Sequence, residues 1–279
     1  MRYQKLFPKK RLNVLLSFAM RNGNFDELLK THRDKVGSII LDSGTWTLNN
    51  SKGPVTHITL EGYKRYLQKF EEMFDAYFNY DSDFTEKGFG INLENQLTLE
   101  RVGLRPIPVI HDVKGDEVQY YLENKAKYPY VAIGSNQKDK GPALRQLVQT
   151  YYENGTRVHI LGDAKYKSLA NIPVYACDSS NWAMTGAYGD IRYWNDKKAG
   201  GDKTDKIYLG KYIGSPKKGK SIDEYEYRED LLKYLKDTFE FTRRDLTDTI
   251  NIQIVNLHYY NELERIVNEK HEAKRIKFE

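Results

Sequence analysis

From residue 12 onward, short apolar runs of strand length alternate with longer runs at helical spacing, and few architectures accept that alternation. Strand-like segments fall at 12–19, 37–41, 76–80, 106–110, 130–133, 158–161 and 174–177. Helical ones fall between them at 25–34, 58–73, 93–102, 117–125 and 144–152. Leu60, Tyr63, Leu67, Phe70 and Met73 make one apolar stripe, and Gly103 and Gly155 stand where helices stop. Tandem strand–helix units imply a parallel sheet. With 279 residues, 39% of them apolar, the chain can bury one large core. The expected fold is α/β, a (β/α)8 TIM-type barrel with a basic insertion and C-terminal helices. Residues 1–187 would form the barrel core, 188–228 a basic, aromatic-containing excursion or lid, and 229–279 the helices completing the barrel. Residues 207–213 are the candidate eighth strand and read equally well as half of a β-hairpin.

Three strand-like runs end in a carboxylate: Asp42, Asp81 and Asp178. Any one of them alone reads as a helix cap or turn residue. In a parallel barrel, however, strand C-termini share one face, where sites are assembled from several strands. The three acids are therefore expected to meet.

Cys177 is the one cysteine, which excludes an internal disulfide and any site built from several thiolates. No secretory leader or long apolar stretch is evident, so a reduced cytoplasmic protein without a membrane partner is expected. Net charge is +5. Between residues 192 and 220, Arg192, Lys197, Lys198, Lys211, Lys217 and Lys218 are interleaved with Tyr193, Trp194, Tyr208 and Tyr212. Cations among aromatics suit a phosphate backbone with stacked bases, and these six are the candidate nucleic-acid contacts. The plainer alternative is a solvated charged loop.

In order along the chain, Asp42-Ser43-Gly44, Asp75 through Asp81, Tyr130 through Ser135, His159-Ile160-Leu161-Gly162-Asp163, Val174 through Asp178 and Ile252 through Tyr260 resemble motifs of the tRNA-guanine transglycosylase superfamily. The match covers about residues 12–182 and returns near 251. It implies a (β/α)8 barrel exchanging guanine for a 7-deazaguanine in a polynucleotide. The resemblance makes Asp178 the nucleophile, Asp42 the general acid/base, and Asp81, His111, Gly134 and Ser135 the base-binding set. Two departures stand out. The tRNA enzymes' zinc cysteines are missing, with Val255 at the place of the ligand histidine, and His111 stands where those enzymes have a base-reading glutamine. No metal and no cofactor are therefore expected, and the chain looks more like the bacterial and phage branch that modifies DNA. If it is phage-encoded, the host cytoplasm is its compartment.

The implied chemistry is a double displacement through a covalent Asp178–sugar intermediate, with Asp42 moving the proton. Its partners would be DNA and a free 7-deazaguanine base, with a partner protein for target recognition left open. The base must leave the duplex or be presented single-stranded. The alternatives are the same chemistry on tRNA, a non-catalytic nucleic-acid-binding barrel, and a glycoside hydrolase. Trp46 and Trp182 are expected to be wall residues. Phe18 and Met20 are expected in the core or lining the pocket.

Overall fold

The computed structural model describes residues 2–21, 25–51, 57–85, 87–134, 141–210 and 220–278. The chain divides into two compact units. One comprises Arg11–Asp163, Ile172–Asp178 and Phe278–Glu279; the other comprises Met1–Lys10, Ala164–Asn171 and Ser179–Lys277. This division differs from the boundary expected at 187/188: residues 164–171 and 179–187 cluster with the C-terminal helices.

In chain order the elements are α1 (Arg2–Leu6), β1 (Leu12–Ser17), α2 (Phe25–His32), β2 (Val36–Asp42), α3 (Thr45–Asn50), α4 (Leu60–Phe70), β3 (Ala76–Tyr77), α5 (Phe89–Glu100), β4 (Val109–Ile110), α6 (Asp116–Glu123), β5 (Tyr130–Ile133), α7 (Pro142–Glu153) and β6 (Arg157–Ile160). There follow α8 (Tyr166–Leu169), β7 (Ala176–Cys177), α9 (Asn181–Ala187), β8 (Asp190–Trp194), β9 (Thr204–Tyr208), β10 (Lys220–Ser221), α10 (Arg228–Phe239) and α11 (Thr249–Ala273). No helix among the described residues is long and apolar enough to cross a membrane.

The first unit is α/β with parallel sheets. Strands pair in the order β1-β2-β3 and β4-β5-β6-β7, every pairing parallel, and a parallel bridge between Phe78 and Ile107 links β3 to β4. Spatial order thus follows chain order through seven strands. Among the described residues no strand joins the outer edge of β1 or β7.

Alternation along each strand sends neighbouring residues to opposite faces. Ile39 and Leu41 of β2 are buried with Tyr63, Tyr66, Leu67 and Phe70 of α4. The intervening Ile40 joins Leu15, Ala76 and Tyr130 against a second cluster of Phe78, Ile107, Val109 and Ala132. Thr59 starts α4 by accepting from the Gly62 amide. The apolar stripe of α4 then buries aromatic and aliphatic groups worth about 1.5–3 kcal/mol each. Truncating the fully buried Leu67 to alanine would remove about 2–5 kcal/mol.

In the second unit, β8 and β9 form an antiparallel hairpin, with β10 parallel to β9. The candidate eighth strand is therefore half of a hairpin as far as Tyr208; 211–213 lie outside the described residues. Residues expected to form an excursion instead bury Ile191, Tyr193 and Ile207. Asn256 of α11 fastens this sheet, accepting from the Arg192 amide at 2.7 Å and donating to the Asp190 carbonyl at 3.0 Å. The C-terminal segment expected to be helical forms α10 and α11. Glu240 adopts a left-handed conformation (φ 61°) that ends α10, and Asp248 starts α11 by accepting from the Ile250 amide.

Candidate functional site

Asp42, Asp81, Asp178, His111 and Gly134 all belong to the first unit, at or just beyond the C-terminal ends of β2, β3, β7, β4 and β5. Parallel pairing carries these ends to one side of the sheet, so acids far apart in sequence become neighbours. Asp42 feels the charge of Asp81 and, more weakly, that of Asp178.

Asp42 leaves β2 where the chain turns sharply. Its Oδ2 accepts from the Gly44 amide at 2.9 Å and from Ser17 Oγ at 3.0 Å. Gly44 sits at φ +82°, and a Cβ there would lie 2.7 Å from the Ala19 amide nitrogen, so the turn requires glycine. Burial, then the Asp81 charge, pushes the Asp42 carboxyl up to about 6; the Gly44 and Ser17 hydrogen bonds only partly oppose this, and Asp178 adds to the rise. A carboxyl in that range can both give and take a proton near neutrality.

Asp81 is buried and held on both oxygens. Thr45 Oγ1 (2.8 Å) and Ser43 Oγ (3.1 Å) donate to Oδ1, and His111 Nε2 lies 2.8 Å from Oδ2. The other ring nitrogen of His111 lies 3.0 Å from the Gly134 carbonyl. A carboxylate on one side and a carbonyl on the other are both acceptors, a setting that favours the doubly protonated imidazolium form of His111. Burial alone would depress its pKa, but the hydrogen bond and charge of Asp81, with Glu117 and the Gly134 carbonyl, outweigh that and raise it. Glu117 also accepts from the His111 amide at 2.8 Å and from the Asp112 amide, fixing the backbone that carries the ring. Breaking one member from a buried ion pair of this kind typically costs about 3–5 kcal/mol.

Asp178 is held on one oxygen only. His159 Nε2 and the Gly162 amide, each at 3.1 Å, both donate to Oδ1. Among the described residues no donor reaches Oδ2, and the side chain keeps 22% exposure. His159 is buried, with Nδ1 3.3 Å from Tyr130 Oη. The Nε2–H tautomer satisfies both contacts, accepting from the tyrosine and donating to the carboxylate. The three acids thus differ in surroundings: burial and the Asp81 charge raise Asp42 to about 6, Asp81 is enclosed by two hydroxyls and His111, and Asp178 is held by a histidine and an amide while keeping 22% exposure. Among the described residues no lysine or arginine bridges any of them, and no group of three His, Cys, Asp or Glu side chains is arranged for a metal ion.

Ser135, Lys211, Lys217 and Lys218 lie outside the described residues. Arg192, Lys197 and Lys198 belong to the second unit. Lys197 pairs with Asp230 and Lys198 with Asp205, both within hydrogen-bond distance, and Arg192 lies over the Tyr260 ring. Trp46 is 67% exposed on α3 and Met20 71% exposed, whereas Phe18 is buried against Tyr63 and Tyr66. Asp75 serves the backbone, accepting from the Ile39 amide and Arg33.

Sequence reasoning gave no role to His159, Tyr130, Ser17, Thr45 or Glu117. The available signal was strand period: His159 stands at an alternate position among apolar residues, on the face shared with Phe78, whose ring it meets at 5.0 Å. No protein-family model, curated protein or solved structure matches this chain.

Proposed function

We propose that the protein is a pentosyltransferase that replaces guanine in DNA with a 7-deazaguanine of the preQ0 type. The observation that carries this is the pairing of two unlike acids at strand ends: Asp42, whose carboxyl burial and the Asp81 charge raise to about 6, and Asp178, partly exposed and held through Oδ1 by His159 and the Gly162 amide. Asp178 Oδ2 attacks C1′ of the target nucleotide as the bond to the base nitrogen breaks. The departing guanine takes its proton from Asp42. The incoming base returns a proton to Asp42, attacks C1′ and expels the Asp178 carboxylate, so two displacements retain the anomeric configuration. Through both steps His159 and Gly162 hold Oδ1, first as a carboxylate oxygen and then as the ester carbonyl.

A (β/α)8 barrel is the architecture this chemistry would use. Seven parallel strands in chain order and an apolar cluster drawing on β1 through β5 support it. DNA is preferred over tRNA on the sequence, which has a single cysteine and Val255 where the tRNA enzymes carry a zinc-ligating histidine.

The test is incubation of the protein with guanine-containing DNA and labelled 7-cyano-7-deazaguanine or guanine, with tRNA as competitor. Incorporation into DNA that disappears in Asp178→Ala is expected. A folded wild-type protein that incorporates neither base into either polymer rules base exchange out.

A further inference from the structure

The imidazole of His111 bridges two acceptors delivered by different strands. It meets Asp81 Oδ2 beyond β3 at 2.8 Å and the Gly134 carbonyl beyond β5 at 3.0 Å. Phe84 stacks on the ring, with centroids 4.5 Å apart and planes 27° apart. The fit is close: a Cβ on Gly134 would stand 3.2 Å from His111 Cε1, and the His111 and Asp81 side chains are each 7% exposed. A flat ring with in-plane N–H donors, seated between a carboxylate and a carbonyl and covered by an aromatic, is the arrangement by which proteins hold free heterocycles. Here a side chain of the protein fills it. Ser43 and Thr45 occupy the other Asp81 oxygen, so Oδ2 is the oxygen a ligand would have to share or win.

We propose that His111 is a built-in occupant of the base-reading pocket and thereby its specificity-determining residue: a heterocycle with an N–H edge, such as guanine or a 7-deazaguanine, gains Asp81 Oδ2 and frees the Gly134 carbonyl by displacing the His111 ring. The identity of the ligand rests on the base-exchange reading above; the filled pocket does not. Displacement selects for ligands that bring their own donors. Adenine, with no ring N–H beside its amino group on the Watson–Crick edge, replaces less of what His111 supplies. Occupancy is also tied to charge. The charged groups around the ring are Asp81 and Asp83 beyond β3, Glu117 of α6, and the adjoining Asp112, all acids, so the imidazolium is the stronger competitor and a neutral base binds better as pH rises.

Calorimetric titration of full-length wild type, His111→Ala and His111→Gln with imidazole and with 7-cyano-7-deazaguanine, at pH 6 and pH 8, tests this. His111→Ala is expected to bind imidazole where wild type does not. It is also expected to bind the deazaguanine about tenfold more tightly than wild type, because the competing occupant is gone, and to lose most of the wild-type pH dependence. His111→Gln, which keeps a donor for Asp81 without the positive charge, is expected to fall between them and serves if the alanine variant does not fold. Imidazole binding to His111→Ala without deazaguanine binding by any of the three proteins supports the filled pocket and overturns the guanine class of ligand. Unchanged or weaker deazaguanine binding in both variants, with no imidazole binding, overturns the occupant role and leaves His111 as a brace.

Discussion

Aspartates at the strand ends of the first unit and those around the second unit's hairpin meet opposite fates. In the second unit Asp190, Asp196, Asp205 and Asp230 pair with Lys206, Lys203, Lys198 and Lys197, and the Lys198 ammonium and the Tyr225 and Asn195 hydrogen bonds outweigh burial to hold Asp205 below the usual carboxylate range. In the first unit Asp42, Asp81 and Asp178 have hydroxyls, amides and imidazoles as partners. A lysine partner keeps a carboxylate permanently ionised. A histidine partner can titrate, and a hydroxyl partner leaves burial to set the proton affinity. The same residue type is therefore fixed charge around the hairpin and free to change its protonation at the strand ends, and the partner decides which.

The contrast breaks most visibly at Asp178. Replacement by alanine should lower base exchange by on the order of 10⁴-fold or more, read as single-turnover incorporation, because the attacking oxygen is gone. A loss under tenfold would return Asp178 to the status of a turn residue. Asp42→Asn should lower exchange by about 10²–10⁴-fold while making the fold more stable. The carboxyl is raised from 3.8 to about 6, so wild type is fully stabilised below about pH 4 and loses stability as pH rises through about 6. Above that the penalty is complete, about 2–3 kcal/mol, and asparagine escapes it. Denaturant melts at pH 4 and pH 8 should show a gain for Asp42→Asn only at the higher pH; equal gains at both would mean that something other than ionisation is at work.

Gly44→Ala sharpens the same comparison through the backbone. The positive φ and the 2.7 Å approach to Ala19 should cost about 1–3 kcal/mol and move the amide that binds Asp42. Thermal unfolding checks the first effect and the pH profile of exchange the second. Lys197→Ala should do least. Its pair with Asp230 is exposed, so stability should fall by under about 1 kcal/mol. If Lys197 contacts phosphate, the slope of log affinity against log salt should drop by about one. An unchanged slope would assign it to Asp230 alone.

Short apolar runs and helix stripes make the parallel unit legible in the sequence. β5 falls on 130–133 as expected, α4 buries the stripe from Tyr63 to Phe70, and Gly103 and Gly155 adopt the positive φ of helix stops. The second unit was harder to see because its signals are not local. The turn that ends α10 falls on Glu240, a residue without the usual mark of a left-handed stop. β8 is held by Asn256, some 64 residues beyond Arg192. Likewise nothing adjacent in sequence announces that His159 serves Asp178 or that His111 serves Asp81.

The amino-acid order alone determined which segments are strands and which are helices, and that acids close three of the strands, because alternation and periodicity are properties of neighbours in the chain. Tertiary structure alone decided which acid has its proton affinity raised toward neutrality, which is enclosed with His111 and which is held by His159 while partly exposed. Those distinctions depend on burial and on partners 16 to 38 residues away, brought close only when parallel strands align their ends.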